Sequence, residues 1–283
     1  MEWLEKLNCA VDYIEKNLEG EIKYEKAAQI ACCSTYHFQR MFSYIAGVHI
    51  SEYIRRRRLT RAALDLQSGD KVLEVALRYG YESPTAFNRA FQNIHGITPS
   101  AAQKEGISLK AYPRISFKIT VKGVSEMEFR IENKGKFRIV GLKTALANSI
   151  EQNFKEVPQF WQKVSQNGDL AKIAALINRE PFGVLGVSAC LESLKQWEYY
   201  IAAPSDAEVP LGMEEYIVPA CTWAIFPGES DSPKAIQELE KRIVTEWLPS
   251  SGYEYANAPD VEVYLSPDPS HPKYEVWLPI VKK

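Results

Sequence analysis

The chain has 283 residues, of which 46% are hydrophobic and 25% charged, with a formal net charge of −2 and five cysteines. Its length points to two domains, its composition excludes long disorder, and it lacks the run of about 18 apolar residues that a membrane-spanning helix requires. The odd cysteine count, without Cys-x-x-Cys spacing, argues against a zinc site or a disulfide framework. Cys9, Cys32, Cys33, Cys190 and Cys221 are therefore expected as small buried residues, with a redox-active Cys32–Cys33 pair as the alternative. The N-terminus has no basic-then-apolar signal, so a cytoplasmic location is expected, with no metal and no cofactor. Residues 1–107 carry a net +1 and residues 108–283 a net −3, so any nucleic-acid affinity must come from local arginine placement.

Leu4, Leu7, Val11, Ile14 and Leu18 recur at steps of three and four and predict a helix that Gly20 stops. A short helix follows over about Tyr24–Cys32, packing through Ala27, Ala28, Ile30 and Ala31. Ser34 has N-cap character, and the helix after it turns Phe38, Met41, Phe42 and Ile45 inward before Gly47 ends it. That phase leaves Thr35, Tyr36, Gln39, Arg40 and Ser43 off the apolar stripe. A longer helix is predicted over Ser51–Gln67, with Tyr53, Ile54, Leu59, Ala62, Ala63 and Leu66 inward. Of its arginines at 55–58, one or two are expected on phosphate and the others solvated or paired with Glu52 and Asp65. Asp70 is expected to cap the next helix, which shows Val72, Val75, Ala76 and Tyr79. Gly80 makes a turn, and Ser83-Pro84 starts a helix with Phe87, Ala90, Phe91 and Ile94 inward and Thr85, Asn88, Arg89 and Gln92 outward.

These helices are written twice. Ala27, Ser34, Phe38, Arg40, Phe42 and Gly47 recur 49 positions later as Ala76, Ser83, Phe87, Arg89, Phe91 and Gly96. The internal spacing is that of a helix-turn-helix, whose second helix enters the major groove. Arginine forks onto guanine and Gln or Asn onto adenine, and the two outward faces offer Gln39 with Arg40 and Asn88 with Arg89. One of the two arginines as an intradomain partner is the alternative. His37, His49 and His95 lack ligand spacing and read as surface or satisfied side chains.

The segments Tyr36-His37-Phe38-Gln39-Arg40-Met41-Phe42, Tyr53–Leu59, Gly80-Tyr81-Glu82-Ser83, Phe87-Asn88-Arg89-Ala90-Phe91 and Gly96-Ile97-Thr98-Pro99 resemble the AraC/XylS family of transcription regulators over roughly 1–107. The resemblance implies seven helices, two helix-turn-helix units and promoter binding. It implicates Tyr36, Gln39 and Arg40 in the first reading helix and Thr85, Asn88 and Arg89 in the second. Pro84 stands where some relatives carry a polar base-contacting residue.

After Gly106 the period changes. Ile115, Phe117, Ile119 and Val121 alternate with polar residues as in a half-buried strand. Further strands are predicted at 127–131, 137–145, 183–190, 197–202, 222–226, 261–265 and 274–280, interrupted by helices over about 157–166 and 233–247. This is an α+β pattern with a mainly antiparallel sheet. Phe160, Trp161, Phe182, Tyr199, Tyr200, Trp223, Tyr264 and Trp277 are its candidate pocket aromatics. By alternation Glu262 shares a face with Tyr264, and Glu275 with Trp277. The short connection at 266–272 makes the two strands neighbours, so the four residues are expected to meet on one surface. A carboxylate bordered by aromatic rings suits an apolar cation; a solvent-exposed, merely solubilising face is the alternative.

Thr222–Phe226, Glu246–Tyr253, Glu262–Leu265 and Tyr274–Ile280 resemble the GyrI-like effector-binding domain over about 111–283. That implies a two-repeat α+β domain with a cleft for small, often cationic molecules, here bordered by a shortened loop at Pro227-Gly228-Glu229-Ser230. The order of the two parts resembles Rob-like regulators. The expectation is a multi-domain chain, with an all-α DNA-binding domain at 1–107 and an α+β effector domain at 111–283. As a whole it reads as a ligand-responsive transcription activator that partners with promoter DNA, RNA polymerase and a small effector, and not as an enzyme or a membrane protein. The competing readings are a sequestering protein and a hydrolase using Glu262 or Glu275 as general base.

Overall fold

A computed structural model describes residues 3–118, 126–147, 149–191, 196–230, 232, 234–256, 258–265 and 272–283. The chain forms two compact units, residues 1–119 and 120–283.

The first unit is helical: α1 (Trp3–Lys16), α2 (Tyr24–Ile30), α3 (Thr35–Ala46), α4 (Ile50–Gln67), α5 (Val72–Arg78), α6 (Pro84–His95) and α7 (Pro99–Ala102). The caps follow the repeat. The Ser34 and Ser83 hydroxyls accept from the backbone N–H groups of His37 and Ala86, and Gly47 and Gly96 end their helices in the left-handed region at φ 68° and 79°. Phe38, Phe42, Phe87 and Phe91 are all fully buried.

The repeat is not uniform in register. α2 and α5 are 48 residues apart in start and end, whereas α3 and α6 are 49 apart. The Schellman-type bonds show the same shift, Cys33 N–H to Ala28 O in one copy and Tyr81 N–H to Ala76 O in the other. Ala76 therefore matches Ala28 and not Ala27, because the second turn holds one extra residue. The left-handed position of that turn is Gly80 in the second copy (φ 80°) and Cys32 in the first (φ 55°). Cys32 is exposed, unlike the buried cysteine expected, while burial pushes the Cys33 thiol up to about 12.

The arginine run of α4 is mostly turned on the protein itself. Arg55 and Arg56 pair with Glu52. Arg57 forks onto Glu15 of α1 at 2.8 Å on each oxygen and donates to Tyr112 O. Asp65 pairs with Arg78 instead, and so does Asp70, which leaves Lys71 as the N-cap of α5. His95 is buried, its Nε2 3.1 Å from Leu59 O and its Nδ1 accepting from Lys110 N–H. The alternating segment at 115–118 forms no strand. Phe117 packs edge-on against Phe42, and Asn8 brackets the Phe117 backbone, donating to its carbonyl and accepting from its N–H. Ile119 and Val121 lie outside the described residues.

The second unit holds β1 (Arg130–Lys134), β2 (Phe137–Ala145), α8 (Ile150–Gln166), α9 (Asp169–Ala174), β3 (Val184–Leu191), β4 (Gln196–Pro204), β5 (Glu214–Val218), β6 (Cys221–Glu229), α10 (Ala235–Arg242), β7 (Tyr253–Tyr255), β8 (Asp260–Tyr264) and β9 (Lys273–Lys282). A π-helical turn over Ile243–Trp247 continues α10. The sheet is antiparallel in the order β1-β6-β9-β8-β3-β4-β2-β5, with β7 added on β9. The order is that of two β-α-β-β units, β2-α8-β3-β4 and β6-α10-β8-β9, back to back across the β3–β8 ladder. α8 starts seven residues before the expected helix and runs through Pro158. Its start is held by buried Asn153, whose amide donates to Ala147 O and accepts from Ala147 N–H.

The sheet curls. Phe137 of β2 and Trp277 of β9 are separated by three strands, about 19 Å in a flat sheet, yet their rings are 6.4 Å apart. The concave face is filled by Ile139, Leu185, Val187, Tyr200, Trp223, Val261, Val263 and Trp277. On the opposite face lie α8, through Trp161 on Tyr264, and the α10 segment, through Trp247 on Phe226.

Candidate functional site

The outward faces of the two second helices differ in access. On α6, Thr85 and Arg89 are exposed and Asn88 is half-buried, its Oδ1 accepting from Gln92. On α3, Thr35 and Tyr36 are half-buried, but Gln39 and Arg40 are only 5% and 8% exposed. Ser43, expected off the apolar stripe, is also buried, its hydroxyl donating to Gln39 O and meeting His49 Nδ1. The Arg40 guanidinium stands over the Tyr44 ring at 5.7 Å. The outer residues of α6 are thus exposed or half-buried, whereas Gln39 and Arg40 of α3 are buried.

The carboxylates of the second unit are divided by register. Across the β8–β9 ladder Glu262 faces Val276, Val263 faces Glu275, Tyr264 faces Tyr274 and Val261 faces Trp277. Directly opposed residues of an antiparallel pair share a face. Glu262 and Tyr264 therefore lie on the convex face, Glu275 and Trp277 on the concave one, and the expected meeting of all four does not occur. The alternation within each strand was right; the pairing matched even with even positions, which alternation cannot reveal.

On the convex face Glu262 Oε2 accepts from Tyr199 Oη at 2.9 Å and from Tyr264 Oη at 3.0 Å. Trp161 of α8 covers them: its Nε1 donates to Tyr199 Oη at 2.9 Å and its ring lies 4.7 Å from that of Tyr264. Gly186 stands opposite Glu262 on β3, and a Cβ there would fall 2.2 Å from Tyr199 Oη and 2.8 Å from Glu262 Oε2. A residue with no side chain leaves the space that this cluster occupies. Burial first, then the Glu262 charge, raise both tyrosine hydroxyls well above their ordinary value, so both remain donors. Phe160 is half-buried on α8, about 100° around the helix from Trp161.

On the concave face Glu275 accepts from Trp277 Nε1 at 2.7 Å and pairs with Arg130 at 2.9 Å. Lys134 Nζ stands 5.1 Å over the Trp277 ring, and Trp223 packs 5.8 Å from Trp277. Glu198 and Tyr200 form a similar unit on β4. Tyr200 Oη donates to Glu198, and Lys143 bridges Glu198 and Glu214. In each unit the aromatic side chain donates to the carboxylate two residues before it, and a basic side chain neutralises that carboxylate. Trp223 and Trp277 are core, and Glu275 is a neutralised carboxylate. The sequence reading missed Gly186 and the Glu198 unit; the shared Glu-x-aromatic pattern at 198–200 and 275–277 was the available signal.

A duplicated helix-turn-helix followed by a curled sheet with a carboxylate under an aromatic lid defines a transcription regulator of the AraC/XylS type with a C-terminal effector-binding domain. Over residues 130–280, more than half its length, the chain matches the integron-associated effector binding protein family (Cass2), and it belongs to that family. Residues 27–105 match the helix-turn-helix domain family. The TetD protein of transposon Tn10 from Escherichia coli is 40% identical over 89 residues, which cover 31% of this chain and 64% of TetD. The multiple antibiotic resistance protein MarA of Escherichia coli K12 is 36% identical over 94 residues, 33% of this chain and 74% of MarA. The structure of SAV2435 bound to tetraphenylphosphonium is similar at a TM-score of 0.49 and 22% identity, covering 55% of this chain and 94% of that one.

Proposed function

We propose that this protein is a transcription activator that reads two successive major-groove segments of promoter DNA and responds to an apolar cation bound at Glu262. Thr85, Asn88 and Arg89 of α6, with Thr35 and Tyr36 of α3, are the proposed base and backbone contacts, and Gln39 and Arg40, buried in this structure, join them only in a state that uncovers α3. Tyr199, Tyr264 and Trp161 line the proposed effector site with Glu262. RNA polymerase is the proposed partner at the promoter, and the cytoplasm the proposed location.

The observation that carries the reading is the Glu262 carboxylate held between two tyrosine hydroxyls beneath the Trp161 ring. A carboxylate bordered by aromatic side chains offers a lipophilic cation both charge and cation–π attraction. Trp161 occupies the place such a ligand's ring would take, so binding requires α8 to yield. Of its residues, Ile150, Asn153 and Val164 are buried, which leaves most of α8 at the surface. A ligand acts only through a difference in affinity between two states, and the displaced α8 supplies the second state.

Selection of duplexes from a randomised library by the full chain, with and without tetraphenylphosphonium, tests the proposal. Recovery of a two-part site whose occupancy or transcription changes with the cation supports it. Tight cation binding with no duplex selected would point to sequestration instead.

A further inference from the structure

The guanidinium of Arg58, on α4, bridges the connection that leads from α1 into the first helix-turn-helix and the turn of the second. Its Nε donates to Leu18 O at 2.9 Å and its Nη2 to Gly20 O at 2.6 Å, carbonyls left open where the chain leaves α1. Its Nη1 lies against the turn between α5 and α6, where a Cβ on Gly80 would stand 3.2 Å away. The first contacts belong to the α1–α3 unit and the second to the α5–α6 unit. Packing between the units is incomplete at this place. An open cleft of about 480 Å³ lies there, bordered by Gly20, Ile22, Tyr24, Ile54 and Gly80, with Arg58 in its wall.

The rest of α4 is fastened to each unit separately. Tyr53 and Arg57 hold Glu15 of α1. Leu59, Ala62 and Leu66 enter the core formed with Val75, Phe87 and Phe91. Apolar contacts tolerate small rotations, whereas a planar guanidinium with fixed donor directions does not.

We infer that Arg58 is a positioning residue that sets the angle between α3 and α6, and so the spacing at which the two groove segments are read. The inference rests on the reading of α3 and α6 as groove readers. Arg58 aims its donors at protein carbonyls, so its part in recognition is through the geometry of the pair. One base pair turns one half-site against the other by about 35° and shifts it by about 3.4 Å, so the stiffness of this joint decides how sharply spacing is discriminated.

The test uses the full chain and a two-part duplex selected from a randomised library, rebuilt with one base pair inserted or removed between its halves. The wild type is expected to lose about tenfold or more in affinity on either change, the scale of one lost specific contact. Arg58→Ala is expected to bind the selected duplex within about threefold of wild type and to lose less than about threefold on the spacing changes. Arg58→Lys keeps the stem and the charge but has one donor nitrogen in place of the fork; it is expected to fall between, and it carries the test if the alanine variant does not fold. An Arg58→Ala protein as strict in spacing as the wild type overturns the inference while leaving the groove assignment standing. If the wild type selects no duplex, the groove assignment fails and this inference with it.

Discussion

Glu262 and Glu275, thirteen residues apart and on neighbouring strands, point to opposite faces of the same sheet, because Val263 and not Glu262 stands across from Glu275. One carboxylate is tied to tyrosines beneath Trp161, and the other is paired with Arg130. The two should respond differently to the same change.

Glu262→Gln is expected to weaken binding of a lipophilic cation by about 10- to 100-fold, the range for a lost charge-assisted contact in a sheltered site. Glu275→Gln is expected to leave that affinity within about threefold and to lower stability by about 1 kcal/mol, since Arg130 keeps much of its solvent contact. Isothermal titration and urea unfolding of both variants give the two readouts.

Arg89→Ala is expected to cost about 1–3 kcal/mol of duplex affinity and to relax base preference at one position. Because Arg89 is exposed, its removal should change stability by less than about 0.5 kcal/mol. Arg40→Ala removes a buried side chain stacked on Tyr44, so its loss of affinity should come with a measurable fall in Tm. Electrophoretic mobility shifts beside thermal melts separate the cases.

Cys32→Gly is expected to stabilise the helical unit by about 0.5–1 kcal/mol. Cys32 holds a left-handed φ of 55° that its repeat mate fills with Gly80, and the relief of the Cβ clash exceeds the entropy cost of glycine. A rise in the urea midpoint without a change in slope checks it.

Glu15 makes the helical unit sensitive to acid. Burial alone would raise its carboxyl, but hydrogen bonds from Arg57 and Tyr53 and the Arg57 charge outweigh burial and hold it below the ordinary value. A depressed native pKa contributes stability that is complete above the unfolded value, about 4.3, and is lost as pH falls through the lower native one. Glu15→Gln should flatten the fall in stability below about pH 4.5 and cost about 3 kcal/mol at neutral pH by stranding Arg57. Urea titrations at several pH values measure both.

Much of the helical unit was legible because its signals are local. Ser34, Ser83, Gly47 and Gly96 mark helix ends by their own hydrogen bonds and φ angles, and the buried phenylalanines mark phase. The sheet was less legible. β2 matched its expected bounds, since Phe137, Ile139, Val140, Leu142 and Thr144 concentrate β-prone residues just after the polar, glycine-containing stretch Glu132–Lys136. β5 was missed because Glu214-Glu215-Tyr216-Ile217-Val218 is an edge strand with charges on it, and β7 because three residues carry no period. The 115–118 segment alternates like a strand yet is pinned to helices by Phe117 and Asn8. Pairing parity was the largest loss. Which residue of β9 faces Glu262 depends on the turn between the strands, and a shift of one position would have put both carboxylates on one face.

Glu262 is the proposed anchor of the effector site. Tetraphenylphosphonium titrated into the wild-type chain, followed by quenching of Trp161 fluorescence against a Trp161→Phe reference, measures this most directly. Saturable quenching in the wild type, weakened at least about tenfold in Glu262→Gln and retained in Glu275→Gln, is the predicted result. Equal binding by wild type and Glu262→Gln would contradict the assignment, and loss in Glu275→Gln alone would move the effector to the concave face.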